Sequence, residues 1–174
     1  MFLAGSLLVL VGCSDTDASP STPSPAHTAD SASPSSTDDA ENAAIIAAYT
    51  RSWDAQTRAY SKASSAGTDL QKSTTFKALA DIERDLAAMR KAGQVTTGKP
   101  VIHPKVVKVT DAKVPAATIA DCVDTTKWTL IDKDSKKRVS LPATRLTKYV
   151  STATLEKWGT EWMVTTLTAQ DQSC

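Results

Sequence analysis

Lysine and arginine are absent from the first 50 positions of the chain, and histidine is scarce throughout. The first of these cationic side chains is Arg51, and only two histidines occur in 174 residues. A Ser-His-Asp triad or a zinc site needs imidazoles at suitable spacing, and no His/Cys/Asp/Glu spacing in this sequence fits zinc. We therefore expect no metal and no cofactor. His103, which precedes Pro104, is expected at the surface near a strand edge.

An apolar stretch opens the chain and ends at Leu10-Val11-Gly12-Cys13, which resembles a bacterial lipobox. The stretch has signal-peptide length and is too short to span a bilayer as a helix. The resemblance implies that residues 1–12 are removed and that Cys13 carries diacylglycerol, which would hold a domain on the membrane outside the cytoplasm. A start codon assigned too late explains the missing basic residues before the stretch. An uncleaved anchor and a plain secretory signal are the alternatives.

Residues 14–41 contain only Ser, Thr, Pro, Ala, Asp, one Glu and one His. None of these side chains can seed a core, so we predict a disordered linker. The linker would act as a bare spacer or as an O-glycosylated stalk, and His27 within it is expected to be inert.

Residues 42–174 form one predicted domain that is long enough to bury a core. The whole chain has a net charge of +1 and the linker has −6, so the domain has +7. A basic surface favours anionic partners such as lipid headgroups or acidic wall polymers. One local basic cluster falls in a predicted turn and is interpreted as solvated: Lys133, Lys136, Lys137 and Arg138. Nucleic-acid binding is not expected, because no binding motif is present and the expected compartment is wrong.

Two cysteines remain once Cys13 is assigned to lipid, namely Cys122 and Cys174. An even pair in an exported domain predicts a disulfide, which would attach the last residue of the chain to a central strand. A reactive thiol pair is the alternative, but the C-x-x-C spacing is absent.

Helical spacing dominates the first part of the domain. Residues 40–63 are predicted as a helix, with Asp38 and Glu41 at capping-box spacing before it. Its expected stripe consists of Ile45, Ile46, Tyr49, Trp53, Gln56 and Tyr60. A short helical turn is expected over 69–73 and a second long helix from Thr74, with a C-cap at Gly93. The apolar face of that second helix is Phe76, Leu79, Ile82, Leu86 and Met89.

After Gly93 the apolar pattern changes from a helical to a strand period. Strands are predicted over 101–110, 114–125, 128–131, 139–141, 145–158 and 161–168, with a tight turn at Gly159-Thr160. Helices followed by strands indicate an α+β fold, in which N-terminal helices pack on one face of a curved, mainly antiparallel sheet.

Several segments carry a closer resemblance. They are Ala48-Tyr49 with Trp53-Asp54-Ala55-Gln56, Asp121-Cys122-Val123-Asp124, Leu155-Glu156-Lys157-Trp158-Gly159 before Trp162-Met163-Val164, and the terminal Cys174. Together with the element order, they make residues 42–174 similar to small exported lipoproteins of actinomycetes with a nuclear transport factor two-like cone domain. The resemblance implies a pocket between the helices and the concave face of the sheet. That superfamily includes isomerases, dehydratases and non-catalytic modules, so the fold implies little about function.

Three aromatic side chains are the candidates for this pocket: Tyr49, Trp53 and Tyr60. They would either line the pocket or simply fill it, since aromatic residues at helical spacing commonly belong to the core. Asp54 is expected off the apolar stripe, on a solvated face.

Asp121 is the candidate catalytic residue. If its sheet face is concave, a buried carboxyl with a raised pKa could act as a base. The alternative is a salt bridge with Arg145 or a neighbouring lysine, because charged groups are rarely buried unpaired. Asp124 is three residues further along the strand and is therefore expected on the opposite face.

Three functions stay open. The first is a non-catalytic, lipid-anchored module of the cell envelope that binds a small apolar ligand or an envelope protein. The second is a pocket enzyme of isomerase or dehydratase type, with Asp121 as base and Tyr49 or Tyr60 as hydrogen-bond donor; the scarcity of histidine disfavours it. The third is a scaffold module of a secretion or conjugation apparatus with an exposed apolar sheet face. The oligomeric state is also open.

Overall fold

The computed structural model describes residues 36–174, which begin with helices and continue as strands. The helices are α1 (Ser36–Tyr60), α2 (Leu70–Ser73) and α3 (Phe76–Ala92). The strands are β1 (Gln94–Gly98), β2 (Lys105–Thr110), β3 (Ala116–Asp124), β4 (Trp128–Asp132), β5 (Lys148–Trp158) and β6 (Glu161–Ala169). This order confirms the predicted α+β class. The expected signal peptide, Cys13 and residues 14–35 of the expected linker, His27 included, lie outside the described residues.

Helix α1 begins at Ser36, so residues 36–41 are helical and do not belong to a disordered linker. Asp38 and Asp39 lie in the first turn, where carboxylates interact favourably with the helix dipole. The predicted capping box does not form, because α1 begins before Asp38 and places it inside the first turn. The Glu41 carboxylate instead accepts hydrogen bonds from Lys157 Nζ (2.8 Å) and Trp162 Nε1 (3.0 Å). The hydrogen bond from Lys157 lowers the pKa of Glu41. These contacts hold the beginning of α1 against the sheet.

The second long helix, α3, has the predicted end but only part of the predicted apolar face. Gly93 adopts the left-handed conformation (φ 65°) and donates its N–H to the carbonyls of Met89 and Arg90, as a C-cap does. Ile82 and Leu86 are buried as expected. Phe76 is 55% exposed, and its ring packs on Trp158 with centroids 5.2 Å apart. The reason is its position: it is the first residue of α3, at the edge of the contact with β6.

The strands form two antiparallel sheets rather than one. The larger sheet has the order β2-β3-β5-β6, and the smaller pairs β1 with β4. Strand β1 was not predicted, and the strand expected from 101 begins at Lys105. The strand predicted over 139–141 is absent, and Arg138 makes only an isolated bridge to Ile131. Pro142 follows directly and has no N–H, so pairing cannot continue there.

One face of the larger sheet packs on the helices. Along β3 the predicted alternation is confirmed, with Ala117, Ile119, Asp121 and Val123 buried. The apolar side chains of this face share one core cluster with Ile45, Tyr49 and Trp53 of α1. A second cluster joins the three helices through Ala55, Ala59, Leu70, Ile82 and Leu86. None of the helices within residues 36–174 is both long and apolar enough to cross a membrane.

Cys122 and Cys174 are joined in a disulfide, with their Cα atoms 5.8 Å apart. Cys122 lies on β3, an interior strand of the larger sheet, so the bond attaches the last residue of the chain to the centre of the sheet. The two cysteines are 52 residues apart. In the chain-entropy model, closing a loop of this size stabilises the fold by about 4 kcal/mol.

Candidate functional site

A cleft lies between the C-terminal end of α1, helix α3, the smaller sheet and the beginning of β5. Three neighbouring cavities of about 180, 240 and 410 Å³ share Trp128 as a common wall. The smallest of them is bordered by four aromatic side chains: Trp53, Tyr60, Trp128 and Tyr149. We call the three cavities together the aromatic cleft.

The aromatic walls come from three separate elements. Trp53 and Tyr60 are seven residues apart on α1 and so share one face of the helix. Trp128 begins β4, and its ring centroid is 6.1 Å from that of Trp53 and 5.3 Å from that of Tyr60. The ring planes meet at 75° and 87°. Edge-to-face contacts of this kind are favoured by the ring quadrupoles, so they fix the walls relative to one another.

Strand β1 positions Trp128 through an unusually close backbone contact. Gly98 is opposite Trp128 in the register of β1 and β4. It has a φ of +77°, and a Cβ atom at this position would collide with the carbonyl oxygen of Lys127. Glycine is therefore required for β1 to pair here, and the pairing places the indole in the cleft.

Three residues that border the aromatic cleft carry buried polar atoms without hydrogen bonds. Within residues 36–174, three buried side-chain atoms lack a partner: Nε1 of Trp53, Nε1 of Trp128 and Oγ1 of Thr96. All three residues line the cleft. An unpaired buried polar group costs roughly 1–3 kcal/mol. Departures of this kind from good packing are expected at functional sites rather than in a core built only for stability.

The two ends of the cleft carry opposite charges. Asp81 and Asp85 of α3 line the 180 Å³ cavity, whereas Arg138 and Arg145 line the 410 Å³ cavity. Tyr60 donates its hydroxyl proton to Asp85 Oδ2 at 3.1 Å, and burial raises the pKa of Tyr60, so the hydroxyl stays protonated. Arg145 donates from Nη2 to Thr125 Oγ1 at 3.2 Å.

The three predicted pocket residues have different places in the structure. Tyr60 lines the cleft and is only partly buried. Trp53 lines the same cavity and also belongs to the core, with 6% exposure. Tyr49 is a core residue with 1% exposure, and its hydroxyl donates to Asp121 Oδ2 at 2.9 Å. Asp54 is exposed, as expected.

Asp121 is a buried acceptor for two donors. Besides the Tyr49 hydroxyl, the backbone N–H of His103 donates to its Oδ1 at 2.5 Å. Burial raises the pKa of Asp121, and the two hydrogen bonds oppose this effect. The predicted salt bridge with Arg145 or a lysine is wrong: no such pair with Asp121 forms within residues 36–174, because Arg145 contacts Thr125 instead.

Asp124 lies on the opposite face of β3, as predicted, and pairs with Lys148 at 3.0 Å. His103 is exposed, as predicted, and contributes only its backbone N–H to the contact with Asp121. Within the described part of the chain, no group of three or more His, Cys, Asp or Glu side chains is arranged to hold a metal ion.

Sequence reasoning missed several residues of the cleft. Trp128 and Tyr149 were interpreted only as strand residues, and Asp85 was not singled out. The available signal was the position of each aromatic residue at the beginning of a strand, where side chains often border a cleft. That signal was insufficient because β1, which positions Trp128, was not predicted.

No family model matches the chain, and no curated protein is significantly similar to it in sequence. Among solved structures, the intermembrane space region of the chloroplast protein ARC6 is similar, with a TM-score of 0.50 and 12% sequence identity. The match covers 74% of this chain and 95% of that chain. At this level of identity the similarity concerns the fold alone.

Proposed function

We propose that this chain is a non-catalytic binding module of the cell envelope. In this proposal the domain resembles a nuclear transport factor two-like cone and is held at the membrane, outside the cytoplasm, by lipid on Cys13. The observation that carries the binding role is the aromatic cleft, where aromatic side chains from α1, β4 and β5 meet around a cavity. A concave site lined by apolar and aromatic side chains with a few polar groups is typical of small-ligand binding.

The cone assignment is supported by the helices that pack on one face of the larger sheet and by two irregularities in its strands. The register shifts between Val106 and Lys108 on β2, and between Thr154 and Leu155 on β5 relative to β6. Bulges of this kind bend strands and increase their twist, so they favour a curved sheet with a concave face.

The contacts of Asp121 favour a binding role over the enzyme alternative. A general base needs an oxygen within hydrogen-bond reach of a substrate. Both oxygens of Asp121 already accept a hydrogen bond, and neither Asp121 nor Tyr49 lines the aromatic cleft. The second proposed donor, Tyr60, contacts Asp85 instead.

The lipid anchor is tested by mass spectrometry of the native N-terminus. We expect Cys13 as the first residue with diacylglycerol on its sulfur, because Gly12 before Cys13 suits the signal peptidase of lipoproteins. Recovery of the protein with Met1 to Gly12 still attached and the Cys13 sulfur free would contradict the anchor.

The binding role is tested by NMR on the full chain, because its four tryptophans provide separate indole N–H signals. A panel of small neutral, anionic and cationic organic molecules is titrated, and the signals are assigned by single substitutions. We expect at least one compound to shift the signals of Trp53 and Trp128 and to leave Trp158 unchanged. Trp128→Ala should abolish this binding, and Trp158→Ala, at an exposed position outside the cleft, should retain it. A panel without any compound that shifts Trp53 and Trp128 would contradict the proposal.

A further inference from the structure

The smallest cavity of the aromatic cleft combines aromatic walls with carboxylates. Its volume of about 180 Å³ is bordered by the rings of Trp53, Tyr60, Trp128 and Tyr149, and by Asp81 and Asp85. A cavity of roughly 150 Å³ suffices for a molecule of benzene size. The space therefore suits one small organic group rather than a peptide or a lipid chain.

The two carboxylates differ in how their charge is compensated. Asp81 pairs with Lys77 Nζ at 2.6 Å and with Arg84, and the hydrogen bond from Lys77 lowers its pKa. Asp85 makes no ion pair within residues 36–174, and its side-chain hydrogen bond there comes from the Tyr60 hydroxyl. That bond holds one carboxylate oxygen beside the aromatic walls. Asp85 is therefore a negative charge at the rim that is available to a ligand.

Another large charged cavity within the described residues lacks aromatic walls. It has a volume of about 560 Å³, and its charged lining consists of Arg51, Asp54, Arg58, Asp69, Lys72 and Glu161. All of these except Asp54 pair with each other: Arg51 with Glu161 at 3.5 Å, and both Lys72 and Arg58 with Asp69 at 3.0 and 4.0 Å. None of the residues that line this cavity is aromatic, so a carboxylate there has no ring faces beside it to attract a cation.

Two further polar side chains of the small cavity already use their donors within the protein. Gln56 donates from Nε2 to Ser52 Oγ at 3.1 Å, and Ser151 donates its hydroxyl to the carbonyl of Thr168 at 3.3 Å. A primary ammonium carries three N–H donors that each need an acceptor. A quaternary ammonium needs none and is attracted by ring faces and by a nearby carboxylate.

We infer that the 180 Å³ cavity binds a quaternary ammonium group, with Trp53, Tyr60 and Trp128 as its walls and Asp85 as its counter-charge. This inference rests on the proposed function, because it names the ligand class of the same cleft. Arg138 and Arg145 line the 410 Å³ cavity, and their positive charges disfavour a cation in that cavity. The attraction to Asp85 is screened by salt, since Asp85 is exposed.

The test compares choline with 3,3-dimethylbutan-1-ol, an uncharged molecule of nearly the same shape, by titration of the full chain. The indole signals of Trp53 and Trp128 report binding. We expect choline to bind roughly tenfold more tightly than the alcohol, because only choline gains cation–π and ionic attraction. Asp85→Asn should remove most of that difference, and Asp54→Asn, the same change at an exposed position outside the cleft, should preserve it. Tyr60→Phe keeps the ring and should weaken choline binding less than Asp85→Asn does.

Phosphatidylcholine vesicles distinguish a lipid headgroup from a free molecule as the source of the ammonium group. If the vesicles shift the indole signals of Trp53 and Trp128, lipid headgroups reach the cavity. If choline shifts these signals and the vesicles do not, the ligand is a free molecule. Equal affinity for choline and the alcohol would overturn the inference and leave the proposed binding role intact. The same holds if neither binds but another compound of the panel shifts Trp53 and Trp128. Retention of the full difference in Asp85→Asn would overturn the role of Asp85.

Discussion

Helix α1 makes two tyrosine–aspartate hydrogen bonds, eleven residues apart, in contrasting surroundings. Tyr49 donates to Asp121 at 2.9 Å inside the core, and Tyr60 donates to Asp85 at 3.1 Å at the rim of the aromatic cleft. The second oxygen of Asp121 accepts the N–H of His103. For Asp85, the described part of the chain provides no further side-chain hydrogen bond. Both pairs are hydrogen bonds from a tyrosine hydroxyl to a carboxylate. They differ because both oxygens of Asp121 accept a hydrogen bond, whereas only one oxygen of Asp85 does so within residues 36–174.

The element that carries each aspartate explains this difference. Asp121 lies on β3, an interior strand whose inner face is covered by α1, so the residue is only 3% exposed. Asp85 lies on α3, on a part of the helix surface that is open to solvent. Burial raises the pKa of both tyrosines, so both hydroxyls stay protonated donors. In the middle of α1 the pair stabilises the core, and at the C-terminal end of α1 the pair holds a charge beside a cavity.

The largest expected effect is the loss of stability in Asp121→Ala, which is compared with Asp85→Ala. Asp121→Ala should lower the free energy of unfolding by about 3 kcal/mol, because it leaves the Tyr49 hydroxyl and the His103 N–H buried without an acceptor. Asp85→Ala should change it by less than about 0.5 kcal/mol, because the side chain is exposed. Urea unfolding followed by circular dichroism measures both. Equal losses in the two variants would contradict the contrast between a structural and an available carboxylate.

The buried pair was easier to anticipate from sequence than the open one. The alternation of Ala117, Ile119, Asp121 and Val123 is a period of two, which alone predicts that Asp121 faces inward. The apolar stripe of α1 likewise predicts that Tyr49 is buried. Both patterns are local in sequence, so these two predictions do not depend on how the rest of the chain folds.

The open pair depends on contacts that no local pattern encodes. Asp85 resembles any surface residue of an amphipathic helix until Tyr60 of another helix is placed beside it. Strand β1 has one buried apolar side chain, Val95, and its paired residues on β4 are 30 to 38 positions away in sequence. The position of Trp128 could therefore not be derived, because strand pairing of this kind is set by tertiary context.

A smaller loss of stability is expected when Gly98, where β1 pairs with β4 beside the cleft, is replaced by alanine. Gly98 and Gly159 both have positive φ angles, +77° and +64°, so alanine is strained at either position. Only at Gly98 would the new Cβ collide with backbone, the carbonyl of Lys127, whereas nothing lies within 4 Å at Gly159. Gly98→Ala should therefore cost about 2–3 kcal/mol and Gly159→Ala about 1 kcal/mol.

The indole signals show whether the effect of Gly98→Ala is local to the cleft. Because Gly98 pairs with Trp128, Gly98→Ala should shift the Trp128 signal and leave that of Trp162, in the core of the larger sheet, nearly unchanged. Gly159→Ala should shift neither. An unchanged Trp128 signal in Gly98→Ala would show that β1 does not position this wall.

The smallest effect concerns stability in acid, where Asp121 and Asp124 of β3 differ because their pKa values are shifted in opposite directions. Hydrogen bonds from Thr126, and then Lys148, lower the pKa of Asp124 from 3.8 to about 2. Asp124 therefore stabilises the fold above its ordinary pKa, and this contribution disappears as the pH falls from 3.8 to about 2. Burial raises the pKa of Asp121, so the folded state retains this proton more tightly, and ionisation of Asp121 destabilises the fold as the pH rises through the raised pKa. Urea midpoints measured between about pH 5 and pH 2 should fall less steeply in Asp124→Asn than in the unaltered chain. Asp85→Asn serves as the control, and an acid profile of Asp124→Asn identical to that of the unaltered chain would mean that the contacts with Thr126 and Lys148 contribute nothing to folding.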